Sequence, residues 1–153
     1  MTSNLKDVTI LIKNNKFTEA LENLKELSEL EKENPIYFFL KGISHLYLSE
    51  FNGAEENFSH ALKLDDKNPN YYFYRAYTLT RLNEYEKSIK DLKNAISLKP
   101  NASEFYNNIA RSYQAIGEND FAINNFLKSI ELNENSKKTL DGLLTILSQT
   151  KNI

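Results

Sequence analysis

Residues 69–102 read PNYYFYRAYTLTRLNEYEKSIKDLKNAISLKPNA, and residues 35–68, PIYFFLKGISHLYLSEFNGAEENFSHALKLDDKN, lie beneath them without a gap. Tyr85 falls under Phe51, and Phe17 stands a further 34 residues upstream. Ala20, Ala54, Ser88 and Ala122 hold the same spacing, as do Leu24, Phe58, Leu92 and Phe126, and then Leu30, Leu64, Leu98 and Leu132. A fixed period of this length is the mark of a stacked repeat architecture. The chain divides into units 1–34, 35–68, 69–102 and 103–136, with 137–153 as remainder.

Inside each unit the apolar residues recur at helical spacing, twice. Phe38, Gly42 and His45 form an i, i+4, i+7 stripe, repeated by Tyr72, Ala76 and Leu79 and by Tyr106, Ala110 and Tyr113. Ala54, Phe58, Ala61, Leu62 and Leu64 make one face of the second helix, and Ser88, Leu92, Ala95, Ile96 and Leu98 repeat it. Small residues within both stripes permit helix axes about 8–10 Å apart. Asn34-Pro35 and Asn68-Pro69 each put a capping Asn before a Pro at the first helical position. Asn15, Asn83 and Gly117 sit between paired helices, where a left-handed residue is needed, and Asn52 with Glu55 is spaced as a capping box. The expectation is an all-α chain of eight repeat helices and a ninth near 138–150.

These residues resemble the tetratricopeptide repeat family over essentially the whole chain. Unit 69–102 matches best, through Tyr72, Ala76, Tyr85, Ser88, Ala95 and Pro100. Unit 1–34 departs most, with Asn4 for the expected ring and Val8 and Leu27 for small residues. Lys32, Asp66 and Glu134 stand in place of the proline, and Asn119 replaces a ring that Phe121 could supply. The resemblance implies helix–turn–helix repeats stacked in a right-handed superhelix, with the first helices lining a concave groove. On that footing the groove residues are Phe39, Ile43 and Tyr47, then Phe73, Tyr77 and Arg81, then Asn107, Arg111 and Gln114, with Leu5, Thr9, Ile12, Leu46, Thr80 and Ala115 beside them.

The stripe runs from aromatic and aliphatic in the middle to amide and guanidinium at the far end. Such a groove suits a peptide with apolar anchors, and Arg81 and Arg111 suit an acidic side chain or terminal carboxylate. The family's lysine–asparagine clamp for C-terminal carboxylates is absent, since Leu5, Thr9, Phe39, Phe73 and Tyr77 occupy those places. Its sugar-transferring members carry an asparagine ladder where this chain has Lys6, Leu40, Tyr74 and Asn108. Lys41 and Arg75 replace a leucine and are expected to lay their stems on apolar neighbours with the charge in water.

Composition narrows the function classes. There is no cysteine, so disulfides and thiolate chemistry are excluded. Nineteen basic residues nearly balance twenty-one acidic ones, and the basic set is mostly lysine, which argues against nucleic acid. Four isolated glycines cannot build a phosphate cradle. His45 lies on the core stripe, and His60 is expected at the surface. With no catalytic, metal or cofactor constellation, the chain reads as a non-enzymatic scaffold or adaptor for a protein or peptide. The alternative is the substrate-recognition module of a larger enzyme, such as a glycosyl- or sulfotransferase. The amino terminus lacks a signal peptide's regions and no apolar run is membrane-length, so a cytoplasmic location without membrane contact is expected. In 137–153, Leu140, Leu144 and Leu147 are expected to seal the fourth unit. Leu143 and Ile146 are then left outside, covered by a second copy of the chain or by a continuation.

Overall fold

The computed structural model describes residues 4–133 and 135–150, with the backbone alone for Thr150. Met1–Ser3, Glu134 and the tail from residue 151 onward, which the sequence reading touched, lie outside the described residues. Among those described, helices and turns account for the chain and there is no strand. Helices α1 (Leu5–Lys13), α2 (Phe17–Lys25) and α3 (Glu29–Lys32) are followed by three hairpins: α4 (Pro35–Tyr47) with α5 (Phe51–Leu64), α6 (Pro69–Arg81) with α7 (Tyr85–Leu98), and α8 (Ser103–Ala115) with α9 (Asn119–Leu132). Helix α10 (Lys137–Thr150) closes the array. Each helix packs chiefly on its sequence neighbours, so the core is a row of small clusters rather than one mass.

Local chemistry accounts for the boundaries. The Asn34 side chain accepts from the Ile36 N–H at 2.9 Å, and Asn68 accepts from Asn70 at 3.0 Å, each ahead of a proline. Asn15, Asn83 and Gly117 take the left-handed conformation foreseen for them, with φ of 59°, 61° and 81°. Ser49 does so too, at 63°, which its residue type did not announce. Asn52 and Glu55 do not cap α5: that helix begins at Phe51, so Asn52 is already inside it. The capping boxes fall at Asn4–Asp7 and Ser28–Glu31.

The second of these splits the expected single helix of the first unit. Helix α2 has nine residues, against fourteen in each of α5, α7 and α9. Leu27 is buried where the later units carry Ala61, Ala95 and Ser129. The bulk of Leu27 at this close contact, with Ser28 offering its own cap to the backbone, favours a break. Ten helices result among the described residues, instead of nine.

The two faces of each first helix have separate neighbours. Phe38 stacks on His60, Gly42 lies under the Phe58 ring and Tyr113 stacks on Phe121, so the i, i+4, i+7 stripe packs within its own hairpin. The face that meets the preceding unit is another: Tyr37, Leu40 and Ser44, then Tyr71 and Thr78, then Phe105, Ile109 and Ser112, all buried. Helix α10 follows this second rule, contrary to expectation. Thr139, Gly142, Leu143 and Ile146 are buried, and a Cβ on Gly142 would come within 2.6 Å of the Phe126 ring. Leu140, Leu144 and Leu147 are the exposed set. Leu64 and Leu98, assigned to the core face, are 53% and 42% exposed at the last turn of their helices.

One polar group holds three helices together. Arg75 donates to both Asp91 oxygens, from Nε at 2.7 Å and Nη2 at 2.8 Å, and from Nη1 to Ser59 at 3.0 Å. Asp91 is buried, and its hydrogen bond raises the Arg75 pKa above the ordinary guanidinium value. The charge therefore does not end in water, contrary to expectation; a carboxylate on the facing helix captures it. The Lys41 ammonium lies 5.9 Å from the Tyr37 ring centroid. His45 bonds to Glu50 at 2.5 Å. His60 is half-buried beneath Phe38 rather than at the surface.

Candidate peptide-binding groove

Residues of α1, α4, α6 and α8, together with Phe17 of α2 and Phe51 of α5, bound two adjoining concavities. One, of about 460 Å³, is lined by Tyr47, Phe51, Phe73, Tyr74, Tyr77, Arg81 and Asn108, among others. The other, of about 390 Å³, is lined by Thr9, Ile12, Lys13, Phe17, Phe39, Ile43, Tyr47 and Tyr74, among others. Tyr47 and Tyr74 belong to both, as a shared ridge.

The walls are built by contacts between successive units. Phe17, which opens α2, stacks flat on Tyr47 of α4, with centroids 4.8 Å apart and planes 3° from parallel. Phe51, which opens α5, repeats the arrangement one unit on, but its partner on α6 is the Arg81 guanidinium at 5.2 Å. Phe121 does not extend the series, since its ring stacks on Tyr113 of its own hairpin. Phe73 stacks on Phe105 at 5.0 Å. These contacts fix the rings while leaving Tyr47 and Tyr77 59% and 42% exposed.

The expected groove residues divide. Tyr47, Tyr77 and Arg81 are exposed and Phe73 is half-buried, and all four face one concavity. Ile43 and Leu46 reach a concavity wall but are buried core residues, packed with Ala54 and Phe58. Phe39 is also partly core, with its ring 5.0 Å from Tyr71 and 5.4 Å from Tyr74. At the far end, Asn107 donates to Thr139 at 2.8 Å and accepts from Arg111 Nε at 3.1 Å. Arg111 also donates to the Lys138 carbonyl at 3.1 Å. This amide–guanidinium end thus ties α8 to α10. Gln114 is half-buried in the last turn of α8.

Sequence reasoning missed Tyr74, Phe17 and Phe51 as groove residues. Phe17 and Phe51 had served as landmarks of the period, and their recurrence ahead of each second helix was the available signal. Tyr74 is half-buried, and burial pushes its hydroxyl pKa up, with Tyr47 and Glu104 adding to the effect. It stays a neutral donor across the physiological range. Arg81 has no carboxylate partner among the described residues; its charge meets only the Phe51 ring. No cluster of metal-ligating side chains and no helix long and apolar enough to cross a membrane occurs among them.

A sequence profile described as "TPR repeat" matches residues 76–117, and one described as "Tetratricopeptide repeat" matches 103–136. Tetratricopeptide repeat models thus cover residues 76–136, and the paired helices have the fold of that family's superhelical stack. The fold is similar to that of MamA from Desulfovibrio magneticus RS-1, at a TM-score of 0.89 and 19% identity, over 95% of this chain and 82% of that one. The first TPR domain of Spaghetti (RPAP3), solved with the HSP90 peptide SRMEEVD, aligns at 0.75 and 19% identity, over 79% and 95% of the two chains. The APC/C hetero-tetramer Cut9–Hcn1 aligns at 0.85 and 20% identity, over 92% of this chain and 28% of that one. No curated protein matches the sequence.

Proposed function

We propose that this chain is a non-catalytic protein-interaction module that holds a segment of a partner polypeptide in its concave groove, centred on Tyr47, Phe73, Tyr77 and Arg81. The carrying observation is the pair of adjoining concavities that share Tyr47 and Tyr74, ringed by exposed aromatic side chains and by a guanidinium with no carboxylate partner among the described residues. The ligand this favours has two apolar anchors, one for each concavity, and an acidic group for Arg81. Aromatic and arginine side chains are those on which binding energy concentrates. Fixed rings also lower the entropy lost when a ligand is ordered against them. A relative by fold has been solved with a peptide, which supports reading this surface as a peptide holder. Arg111 takes a lesser part in this reading, since two of its donors already hold α10.

The test is capture of binding proteins from the native lysate with the intact chain, with Phe73→Ala/Arg81→Ala, and with Lys90→Ala on the opposite face. For a captured partner, the groove double variant should lose at least tenfold in affinity, equivalent to about 1.4 kcal/mol, while Lys90→Ala leaves it unchanged. Equal binding by all three proteins would remove the groove from consideration.

A further inference from the structure

Two adjoining concavities make up the groove, and no carboxylate among the described residues lines either of them. The chain as a whole carries more acidic than basic residues, twenty-one against nineteen. The charged side chains that do line them are Arg81 in one and Lys13 in the other. Both are exposed, and neither is ion-paired among the described residues. Nearby carboxylates do not supply a partner. Glu84, three residues after Arg81, pairs with Lys87, and Glu50 bonds to His45. Glu104 acts on the Tyr74 hydroxyl from outside both linings.

Lys13 and Arg81 stand in the last turns of α1 and α6, where helix carbonyls favour positive charge. That accounts for a cation at either helix end. It does not account for linings free of carboxylate, nor for the order of residues along the stack. Lys13, Tyr47 and Arg81 are spaced by 34 residues, so they take the same place on the successive first helices α1, α4 and α6. Tyr47, which both concavities share, is the middle member. The row thus reads cation, ring, cation beside apolar walls. Neighbouring helices about 8–10 Å apart put the two cations about 16–20 Å from one another. An extended chain covers that distance in about five or six residues.

We infer that the groove selects a partner segment with two acidic side chains about five or six residues apart, on either side of its apolar anchors. Lys13 receives one and Arg81 the other, so Lys13 is a second specificity-determining residue. The assignment rests on the proposed reading of the groove as the binding surface. A guanidinium stacked on a ring keeps its in-plane donors available for a carboxylate. A segment with basic residues at the two places meets like charge at both ends and is rejected.

Selection of random linear peptides displayed on phage tests this, on the intact chain, on Tyr47→Ala/Tyr77→Ala and on Lys13→Glu. The altered side chains are all exposed, and an unchanged helical circular dichroism spectrum checks each fold. Peptides enriched on the intact chain should bind the tyrosine double variant at least tenfold more weakly. They should carry two acidic residues about five or six apart, with apolar ones between. On Lys13→Glu the preference at one of these places should turn from acidic to basic, while the other stays acidic. Tyrosine-dependent binders that lack the acidic pair, or a selection that Lys13→Glu leaves unchanged, would overturn the inference and leave the groove as the binding surface. Finding no tyrosine-dependent binders would overturn both.

Discussion

Arg75 and Asp91 show how a residue that breaks an apolar pattern is accommodated. A leucine is usual at this place, yet here a guanidinium spans α5, α6 and α7 through Ser59 and the buried Asp91. A buried pair is weak evidence of net stabilisation, but losing one partner leaves the other exposed to the full desolvation cost. Asp91→Asn should therefore destabilise by about 1–3 kcal/mol, read as a lower urea midpoint. Arg75→Met/Asp91→Leu should recover most of that loss. If the double variant is as weak as the sum of the single changes, the two residues do not act as a unit. This pair was half legible beforehand: Arg75 stood out against the pattern, but Asp91 sits among solvated lysines in sequence, and only the facing of α6 and α7 brings it to the guanidinium.

At the scale of elements, periodicity in the sequence marks each first helix but does not say which neighbour each apolar stripe meets. First helices here are apolar on two adjoining faces, and the sequence reading assigns the seal to Leu140, Leu144 and Leu147 where the structure uses Leu143 and Ile146. The contacts of Gly42 with Phe58 and of Gly142 with Phe126 separate them, because they show one face turned to the same hairpin and the other to the preceding one. Boundaries written in side-chain chemistry, such as Asn34-Pro35 and Asn68-Pro69, were legible, whereas the break after α2 depends on competition between packing and a local cap. That break is testable. Leu27→Ala/Ser28→Ala replaces the oversized residue and removes the cap, and both changes raise helix propensity. Backbone chemical shifts should then become helical through residues 26–28. Non-helical shifts there would mean that the break is imposed from elsewhere.

For the molecule as a whole, the stack separates the work of holding together from the work of recognition. The stripe within each hairpin and the stripe to the preceding unit make the core, and what remains of the first helices can meet a partner. The groove was legible as a stripe but not as a shape. Ile43 and Leu46 were drawn into the core because Phe58 and Ala54 lie beneath them, while Tyr74 and the rings of Phe17 and Phe51 came into the walls from neighbouring units. Hydrogen–deuterium exchange on a captured partner complex, compared with the free chain, tests this division most directly. The account predicts added protection in α4 and α6, centred on Tyr47, Phe73, Tyr77 and Arg81, with α5, α7 and α9 unchanged on their outer faces. Protection confined to α5, α7 and α9, with the concave face exchanging as in the free chain, would contradict it.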